Sequence, residues 1–252
     1  MRVMIIHKTN ARWEAGATPS LELIGRVGKL IGEMAQAGVL LAAEGLRATS
    51  QGVRLRFSGG KRTVMKGPFT GSNELLAGFA ILKVASIDEA VEWASRFGKA
   101  MGDAEIDIRP VTEPWDLGFG EKPKGQATRR FMLIHKADKS TEAGVRSTPQ
   151  QLADTAKLIQ EMTAAGVLLA TEELQPSSRG VRARPSGEKL IITDGPFTET
   201  KEVIAGFVIV RVSSMQEALD WVRRYTVTVD ADEVDALPLF EPSATAAASH
   251  DG

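Results

Sequence analysis

The chain contains the same unit twice, and this duplication limits what it can fold into more than any other feature. Gly-Val-Leu-Leu-Ala at residues 38–42 recurs at 166–170, an offset of 128 positions. Gly-Pro-Phe-Thr at residues 67–70 recurs at 195–198 with the same offset. Chance does not hold one offset over several separate matches, so the sequence predicts two copies of one folding unit.

The repeat divides the chain into four segments. We place copy one at residues 1–112 and copy two at residues 130–241. Residues 113–129 are rich in Gly and Pro and form the predicted linker, and residues 242–252 form a predicted disordered tail. Three large apolar residues of the linker are expected to pack across the two copies: Trp115, Leu117 and Phe119.

Composition places the chain among globular proteins and excludes several kinds of site. Its 252 residues are 43% hydrophobic and 25% charged, and the net charge of −1 argues against an overall basic surface for nucleic acid or an anionic membrane. Because there is no cysteine, disulfides and thiolate metal sites are excluded. A three-histidine metal site would need His250 from the tail, so we expect no metal, and no motif implies a cofactor. With no apolar run of about 18 residues and no signal peptide, we expect a cytoplasmic protein.

Each copy has the hydrophobic pattern of a mixed α+β unit. In copy two, the alternation of residues 181–184 and 189–193 around a Gly-containing turn predicts a β-hairpin. Thr148-Pro149 and the capping box that begins at Ser214 predict the starts of two helices. The order is strand, helix, strand, hairpin, strand, helix, strand. Without the hairpin this is the βαββαβ order of a ferredoxin-like fold.

A four-stranded sheet with both helices on one face leaves an apolar face uncovered. The expected solution is for the two copies to pair their sheets, as near-superimposable units of an intramolecular pseudo-dimer. A cavity between sheet, helix and hairpin is then the expected ligand site. Large aromatic residues that recur at equal positions are expected in the cores: Phe69, Phe197, Trp93 and Trp221.

The nine residues 194–202, Asp-Gly-Pro-Phe-Thr-Glu-Thr-Lys-Glu, carry a resemblance to a known family. With Gly-Val-Leu at 166–168 upstream and Ala-Gly-Phe at 205–207 downstream, the chain resembles the YCII-related family, and within it the branch named for Asp-Gly-Pro-Phe. The resemblance covers both copies and implies a fold of the dimeric α+β barrel type. Better-known relatives act on small molecules, and one is a dehydrochlorinase of a chlorinated hydroquinone.

Those relatives are associated with a His on the first helix that is paired with an Asp near the second. Neither predicted first helix of this chain contains His, so that pair is not carried over. Genes of the branch often lie beside sigma-factor genes, which implies a regulatory role as an alternative to catalysis.

The two copies differ in the charges around Gly-Pro-Phe. Copy two has Asp194, Glu199 and Lys201, where copy one has Lys, Gly and Asn. Charges that the fold can spare are better candidates for chemistry, so copy two is expected to hold the more competent site. The structural alternative is an Asx turn at Asp194 and a solvated surface pair beyond it.

Further candidates recur in both copies. His7 and His135 end the first strands and titrate near neutrality, although a histidine there can also be a core residue. Glu44 and Glu172 follow the second strands and could be general bases or bond backbone amides. The Arg pairs of the hairpins, at 54/56 and 182/184, form a solvated face or an anion clamp. The predicted catalytic residues are His135, Asp194 and Glu172. The predicted ligand-binding residues are His7, Glu44, Lys66, Arg182, Glu199 and Lys201.

Two functions are compatible with these residues. The first is a cofactor-independent enzyme that carries out proton transfer, by elimination or isomerisation, on a small anionic or phenolic molecule. The second is a non-catalytic ligand-binding or regulatory module. Because the fold hosts both kinds of protein, it does not decide between them. A further homodimer of the pseudo-dimer is also compatible with the sequence.

Overall fold

Both copies form the predicted series of elements, together with a short extra helix after the first strand. The computed structural model describes residues 1–69, 74–187, 189–197 and 203–241. Copy one contains β1 (Arg2–Lys8), α1 (Ala11–Glu14), α2 (Leu21–Gln36), β2 (Leu40–Gly45), β3 (Val53–Ser58), β4 (Lys61–Lys66), β5 (Leu76–Val84), α3 (Ile87–Met101) and β6 (Ala104–Pro110). Copy two contains β7 (Arg129–Lys136), α4 (Lys139–Glu142), α5 (Pro149–Ala164), β8 (Leu168–Glu173), β9 (Val181–Ser186), β10 (Lys189–Asp194), β11 (Ile204–Arg211), α6 (Met215–Thr228) and β12 (Val234–Pro238).

The long helices begin at side-chain caps. In α5, Pro149 occupies the first turn and the Thr148 hydroxyl accepts a hydrogen bond from the Gln151 amide. Ser86 and Ser214 cap α3 and α6 in the same way, so α6 starts where predicted, although the Glu217 carboxylate accepts from the Ser213 amide and does not close the predicted capping box. None of the described helices is long and apolar enough to cross a membrane.

The strands form two antiparallel six-stranded sheets, and each sheet contains strands from both copies. Sheet 1 has the order β10-β9-β12-β1-β11-β2, and sheet 2 has the order β4-β3-β6-β7-β5-β8. β1 and β2 of copy one therefore lie beside strands of copy two, and β7 and β8 of copy two lie beside strands of copy one. The central orders, β12-β1-β11-β2 and β6-β7-β5-β8, are consistent with a ferredoxin-like sheet.

This exchange corrects the expectation that each copy folds as its own unit. The mixed α+β class is confirmed, but the first two strands of each copy complete the other copy's sheet. The connection between the copies explains the exchange. β6 pairs with β7, and Pro110 lies opposite Phe131, so the linker joins neighbouring strand ends. If each copy had kept its own first strand, the linker would have to cross from one sheet to the other.

Two kinds of core hold the sheets in place. The helix-facing sides pack on α2 and α6 in sheet 1 and on α3 and α5 in sheet 2. The opposite sides pack on each other, and Phe79 and Phe207, at equivalent positions of the two copies, meet with ring centroids 5.2 Å apart. The predicted pairing of the apolar sheet faces is therefore observed.

Of the four aromatic residues that were expected in the cores, one is buried and three are partly buried. Phe197 is buried, with 7% of its surface exposed, and Phe69 is partly buried. Trp93 and Trp221 are also only partly buried: each packs against the helix-side core, and an arginine lies over each ring, 4.7 Å from its centroid. The prediction of a buried core residue is therefore confirmed for Phe197, whereas the other three aromatic residues are less buried than predicted.

The linker contacts both copies mainly through charges. Asp116 forms an ion pair with Arg47 of copy one, at 2.9 Å, and Glu113 forms one with Arg130 of copy two, also at 2.9 Å. Phe119 is half exposed, so the expectation that it packs across the copies is wrong. Trp115 is partly buried in the single turn before it.

The Gly-Pro-Phe turn is a structural element in both copies. A Cβ on Gly195 would lie 1.8 Å from the carbonyl oxygen of Ser177, and a Cβ on Gly67 would lie equally close to that of Thr49. The residue that supplies this carbonyl also accepts a second hydrogen bond. The Phe69 amide donates to the Thr49 hydroxyl, and the Phe197 amide donates to the Ser177 hydroxyl at 3.0 Å. The turn therefore fits against its neighbour only without a side chain at the glycine.

Replacing this glycine is expected to be much more harmful than replacing a helical one. Gly195→Ala should lower the free energy of unfolding by about 3 kcal/mol or more, because the methyl group overlaps backbone. Gly28→Ala in α2 is the matched control, since its Cβ meets nothing within 4 Å and should stabilise by up to about 1 kcal/mol. Urea denaturation measures both. Equal effects of the two variants would contradict the close fit.

Strand exchange also predicts how the chain responds to a cut. The linker between 118 and 125 is exposed, so a specific protease site can be inserted there. After cleavage, the two fragments should remain together in gel filtration, because each sheet needs strands from both. They should separate only in denaturant. Fragments that elute apart without denaturant would show that the copies fold independently.

Candidate functional site

A buried ion cluster lies on the inner face of sheet 2. The Arg54 guanidinium binds Asp107 through two hydrogen bonds of 2.6 and 2.8 Å and donates to Glu74 at 2.8 Å. Lys136 forms ion pairs with Glu74 and, at 3.0 Å, with Asp107. The Phe69 ring lies 4.5 Å from the guanidinium carbon. Opposite charges thus meet in a region that water does not reach.

The charges in this cluster stabilise one another. Burial by itself would raise the pKa of Asp107, but the neighbouring Lys136 ammonium and the hydrogen bonds from Arg54 outweigh it and lower that pKa. Asp107 is therefore ionised at neutral pH. A saturated set of buried charges of this kind contributes to structure rather than to ligand binding.

Sheet 1 contains the equivalent cluster, and it includes one predicted ligand-binding residue. Arg182 binds Asp235 at 2.6 and 2.9 Å and Glu233 at 3.2 Å, while Lys8 contacts Asp235 at 3.1 Å. The Phe197 ring covers the Arg182 guanidinium at 4.2 Å. The sequence predicted that Arg182 is either part of a solvated face or an anion clamp. Neither prediction holds, because Arg182 is buried and its guanidinium is bound by Glu233 and Asp235.

The hairpin arginines differ in burial within each pair. Arg54 and Arg182 are buried, whereas about half of the Arg56 and Arg184 side chains is exposed. The cause is cross-strand pairing: Arg54 lies opposite the buried Asp107 and reaches Glu74, whereas Arg56 lies opposite Glu105, two residues closer to the hairpin turn. The solvated reading therefore applies only to the outer arginine of each pair.

Glu44 and Glu172 form ion pairs between the copies. Glu172 of copy two binds Arg2, and Glu44 of copy one binds Arg130. Burial raises the pKa of Glu44, and the Arg130 guanidinium acts in the opposite direction. A carboxylate held by a guanidinium is poorly placed as a general base, and these two ion pairs link the copies. Each arginine also contacts a second glutamate: Glu241 for Arg2 and Glu113 for Arg130.

His135 lies at the end of β7 on the wall of a cleft of about 230 Å³. Residues 56–58 and 103–105 of copy one and 135–138 of copy two line this cleft. The edge of the imidazole meets the Phe97 ring, with centroids 5.5 Å apart. Among the described residues, the ring makes no hydrogen bond. Burial lowers the pKa of His135, although the Asp138 carboxylate opposes this, so the ring is neutral at pH 7.

His7, the equivalent of His135, has a hydrogen-bond partner. Its Nδ1 lies 2.9 Å from the Tyr225 hydroxyl, and the two ring centroids are 5.7 Å apart. Burial and the neighbouring Lys8 lower the pKa of His7 to about 4. Burial also raises the pKa of Tyr225, so this phenol stays protonated.

The structure does not bring the three predicted catalytic residues together. Asp194 is exposed at the end of β10 in sheet 1, whereas His135 belongs to sheet 2. Glu172 is in the same sheet as His135 but on its other face, because Glu172 lies opposite Phe79 in the shared core. The exchange of strands is the reason, since it places the histidine and the motif of one copy in different sheets.

Of the remaining motif charges, Lys66 does not line the cleft. Lys66 ends β4 at the outer edge of sheet 2 and is exposed. Glu199 and Lys201 lie outside the described residues. Most groups that line the cleft beside His135 were not predicted from sequence. Arg56 was considered as part of a solvated face or an anion clamp, and no sequence pattern indicated Asp103, Glu105 or Asp138. Within the described ranges, no group of three or more His, Asp or Glu could hold a metal ion.

Comparisons with known proteins identify the same unit twice. The family model for the YCII-related domain matches residues 1–113 and 130–240. An uncharacterised protein of Rhizobium meliloti (strain 1021) is 32% identical over 115 residues, which cover 44% of this chain and 93% of that protein. The relative is thus about as long as one copy. No solved structure matches the chain significantly.

The low pKa of His7 predicts an acid-sensitive fold. As the pH falls from 6.5 towards about 4, the unfolded chain takes up the proton before the folded chain does. Stability attributable to His7 is therefore present above pH 6.5 and lost towards pH 4, by up to about 3 kcal/mol. Urea denaturation across this range measures it. His7→Gln should flatten the dependence and His250→Gln should not; an unchanged slope in His7→Gln would contradict the assignment.

Proposed function

This chain belongs to the YCII-related domain family and carries that domain twice, and on this premise we propose that it binds a small phenolic molecule in the cleft beside His135. The imidazole accepts a proton from the bound molecule, without a cofactor. We further assign the chain to the Asp-Gly-Pro-Phe branch and to the dimeric α+β barrel type. The motif at residues 194–197 and the shared core between the sheets support these assignments.

One observation carries the proposal. His135 is a neutral histidine with no hydrogen bond among the described residues, and it faces a cleft large enough for a single aromatic ring. A neutral imidazole with an available lone pair is a competent proton acceptor at pH 7. The other titratable groups on the cleft wall are already bound or serve as caps.

The charges of the cleft favour a neutral phenol over an anion. Arg56 is held by Glu105, at 2.6 Å, and Lys136 is turned towards the buried ion cluster. Asp103 and Asp138 add two carboxylates that accept hydrogen bonds from backbone amides at 2.9 and 2.8 Å. An anionic ligand would meet more negative than positive charge, whereas a phenol O–H can donate to the imidazole. Of the two ligand classes expected from sequence, the phenolic one fits better.

The reaction class that fits is general base catalysis. A carbon acid bound beside the imidazole loses a proton to His135, and the same group returns it at another position or after loss of a leaving group. This gives isomerisation or elimination. The Asp138 carboxylate raises the basicity of the imidazole and stabilises the imidazolium that forms. A positioned base of this kind contributes about 10²- to 10⁴-fold to a rate.

Binding can be tested with small aromatic probes of different charge. In ¹⁵N-histidine-labelled protein, phenol should shift the imidazole resonances of His135 in a saturable way, and benzoate should not. His135→Gln should abolish saturable binding, and Arg26→Gln, an exposed variant on α2, should not. If phenol leaves the His135 resonances unchanged, or if His135→Gln binds it equally well, the proposed site is wrong.

Catalysis is tested separately, through exchange of carbon-bound hydrogen. The methylene hydrogens of 4-hydroxyphenylacetone exchange with deuterium when a base removes them, and NMR follows this in D₂O. Wild-type protein should accelerate the exchange, and His135→Gln should lose about 10²-fold or more of the acceleration. Saturable phenol binding without faster exchange would favour the alternative, a non-catalytic ligand-binding or regulatory module of the kind associated with sigma factors.

A further inference from the structure

One difference between the two histidine sites of this chain is a hydroxyl group, and we infer that this hydroxyl, on Tyr225, disables the site at His7 and leaves the site at His135 as the competent one. The inference rests on the proposed function, in which an imidazole acts as a base. It makes Tyr225 and Phe97 the positioning residues that determine which copy of a duplicated site can work.

The packing of the histidine ring against the aromatic ring is similar at the two sites. His7 and His135 occupy equivalent positions 128 residues apart, and so do Phe97 and Tyr225. The edge-to-face contacts have centroid distances of 5.7 Å at His7 and 5.5 Å at His135. Within the part of the chain that the structure describes, only His7 has a hydroxyl within hydrogen-bond distance, at 2.9 Å from Nδ1.

The direction of that hydrogen bond follows from the basicity of its two atoms. An imidazole nitrogen with a free lone pair is a far better acceptor than a phenol oxygen, and a phenol is a good donor. Tyr225 therefore donates to Nδ1 of His7, and the proton of the neutral ring resides on Nε2. In this tautomer the only basic lone pair of His7 is already engaged. Phe97 imposes no such constraint on His135.

A second difference acts in the same direction. Asp138 and Asn10 are equivalent residues, and both cap a short helix, by accepting from Thr141 at 2.8 Å and from Trp13 at 3.1 Å. Their structural role is the same, but only Asp138 brings a negative charge towards the neighbouring histidine. That charge stabilises an imidazolium at His135, whereas the neighbouring Lys8 destabilises one at His7.

Because of strand exchange, each histidine meets an aromatic residue of the other copy. Tyr225 belongs to the same copy as His135, but it lies on α6 beside sheet 1, where His7 of the other copy faces it. A tyrosine in copy two therefore acts on the histidine of copy one. One change from Phe to Tyr in a helix is enough to make the two sites unequal while both keep the same packing.

The experiment uses the full chain and the reciprocal variants Tyr225→Phe and Phe97→Tyr, each with His250→Gln to simplify the spectrum. Imidazole ¹⁵N shifts report the tautomer, and modification by diethyl pyrocarbonate reports the available lone pair. In wild-type protein, His7 should be a fixed Nε2–H tautomer and should react more slowly than His135. Tyr225→Phe should accelerate His7 modification by about tenfold, the equivalent of one hydrogen bond of about 1.4 kcal/mol. Phe97→Tyr should slow His135 modification by a similar factor.

The outcomes separate this inference from the proposed function. Equal modification rates for His7 and His135 in wild-type protein would overturn the inference. So would an unchanged tautomer and rate at His7 in Tyr225→Phe, the conservative variant, which removes one oxygen from a packed ring. The tautomer and modification readouts need no substrate. If they come out as expected and phenol still leaves His135 unperturbed, the hydroxyl's effect stands and the proposed function fails.

Discussion

The pairing of β1 with β11 and β12 is the constraint on which the rest of the molecule depends. β1 comes from copy one and both neighbours come from copy two, and β7 lies in the reverse arrangement between β5 and β6. Alternate residues of β1 face the helices and the opposite sheet, so a shift of one residue would expose both apolar sets. The register is therefore determined on both faces at once, and each sheet takes strands from both copies.

Strand exchange also determines which charges meet inside the protein. Lys8 of copy one neutralises Asp235 of copy two, and Lys136 of copy two neutralises Asp107 of copy one. Removing one member of such a set leaves a charge buried without its partner, which typically costs several kcal/mol. The same exchange builds the cleft from both copies, because His135 arrives from copy two on a wall made by β3 and β6. Strand exchange thus produces both the buried ion clusters and the candidate site.

Duplication within one chain allows the two halves to differ where a true dimer could not. The Gly-Pro-Phe turn, the arginine clusters and the helix caps keep their structural role in both copies. Charges and hydroxyls near the histidines do not, as the pairs Asn10/Asp138 and Phe97/Tyr225 show. The residues of the first group pack in the interior or cap helices, so replacing them lowers the stability of the fold. The second group lies beside a cleft or a partly exposed ring, where a change alters chemistry and leaves the core intact.

Much of the fold could be predicted from the sequence, and most of the site could not. Offset matches, periodicity and caps were sufficient for the α+β class, the order of elements, the helix starts at Ser86 and Ser214 and the pairing of apolar sheet faces. These features depend on residues close together in the chain or on a repeated pattern. The same reasoning chose Asp194 and Glu172 as partners of His135, because it treated each copy as a closed unit.

By itself, then, the sequence determined that the chain is a duplicated α+β protein whose sheets must cover one another. Only the tertiary structure decided which copy's strands share a sheet, that His135 faces Phe97 rather than Tyr225, and that the inner hairpin arginines are buried against carboxylates. The physical reason is that the two copies carry the same local signals. The first strands of both copies have the same pattern, and the observed pairing is the one in which the linker joins the neighbouring ends of β6 and β7.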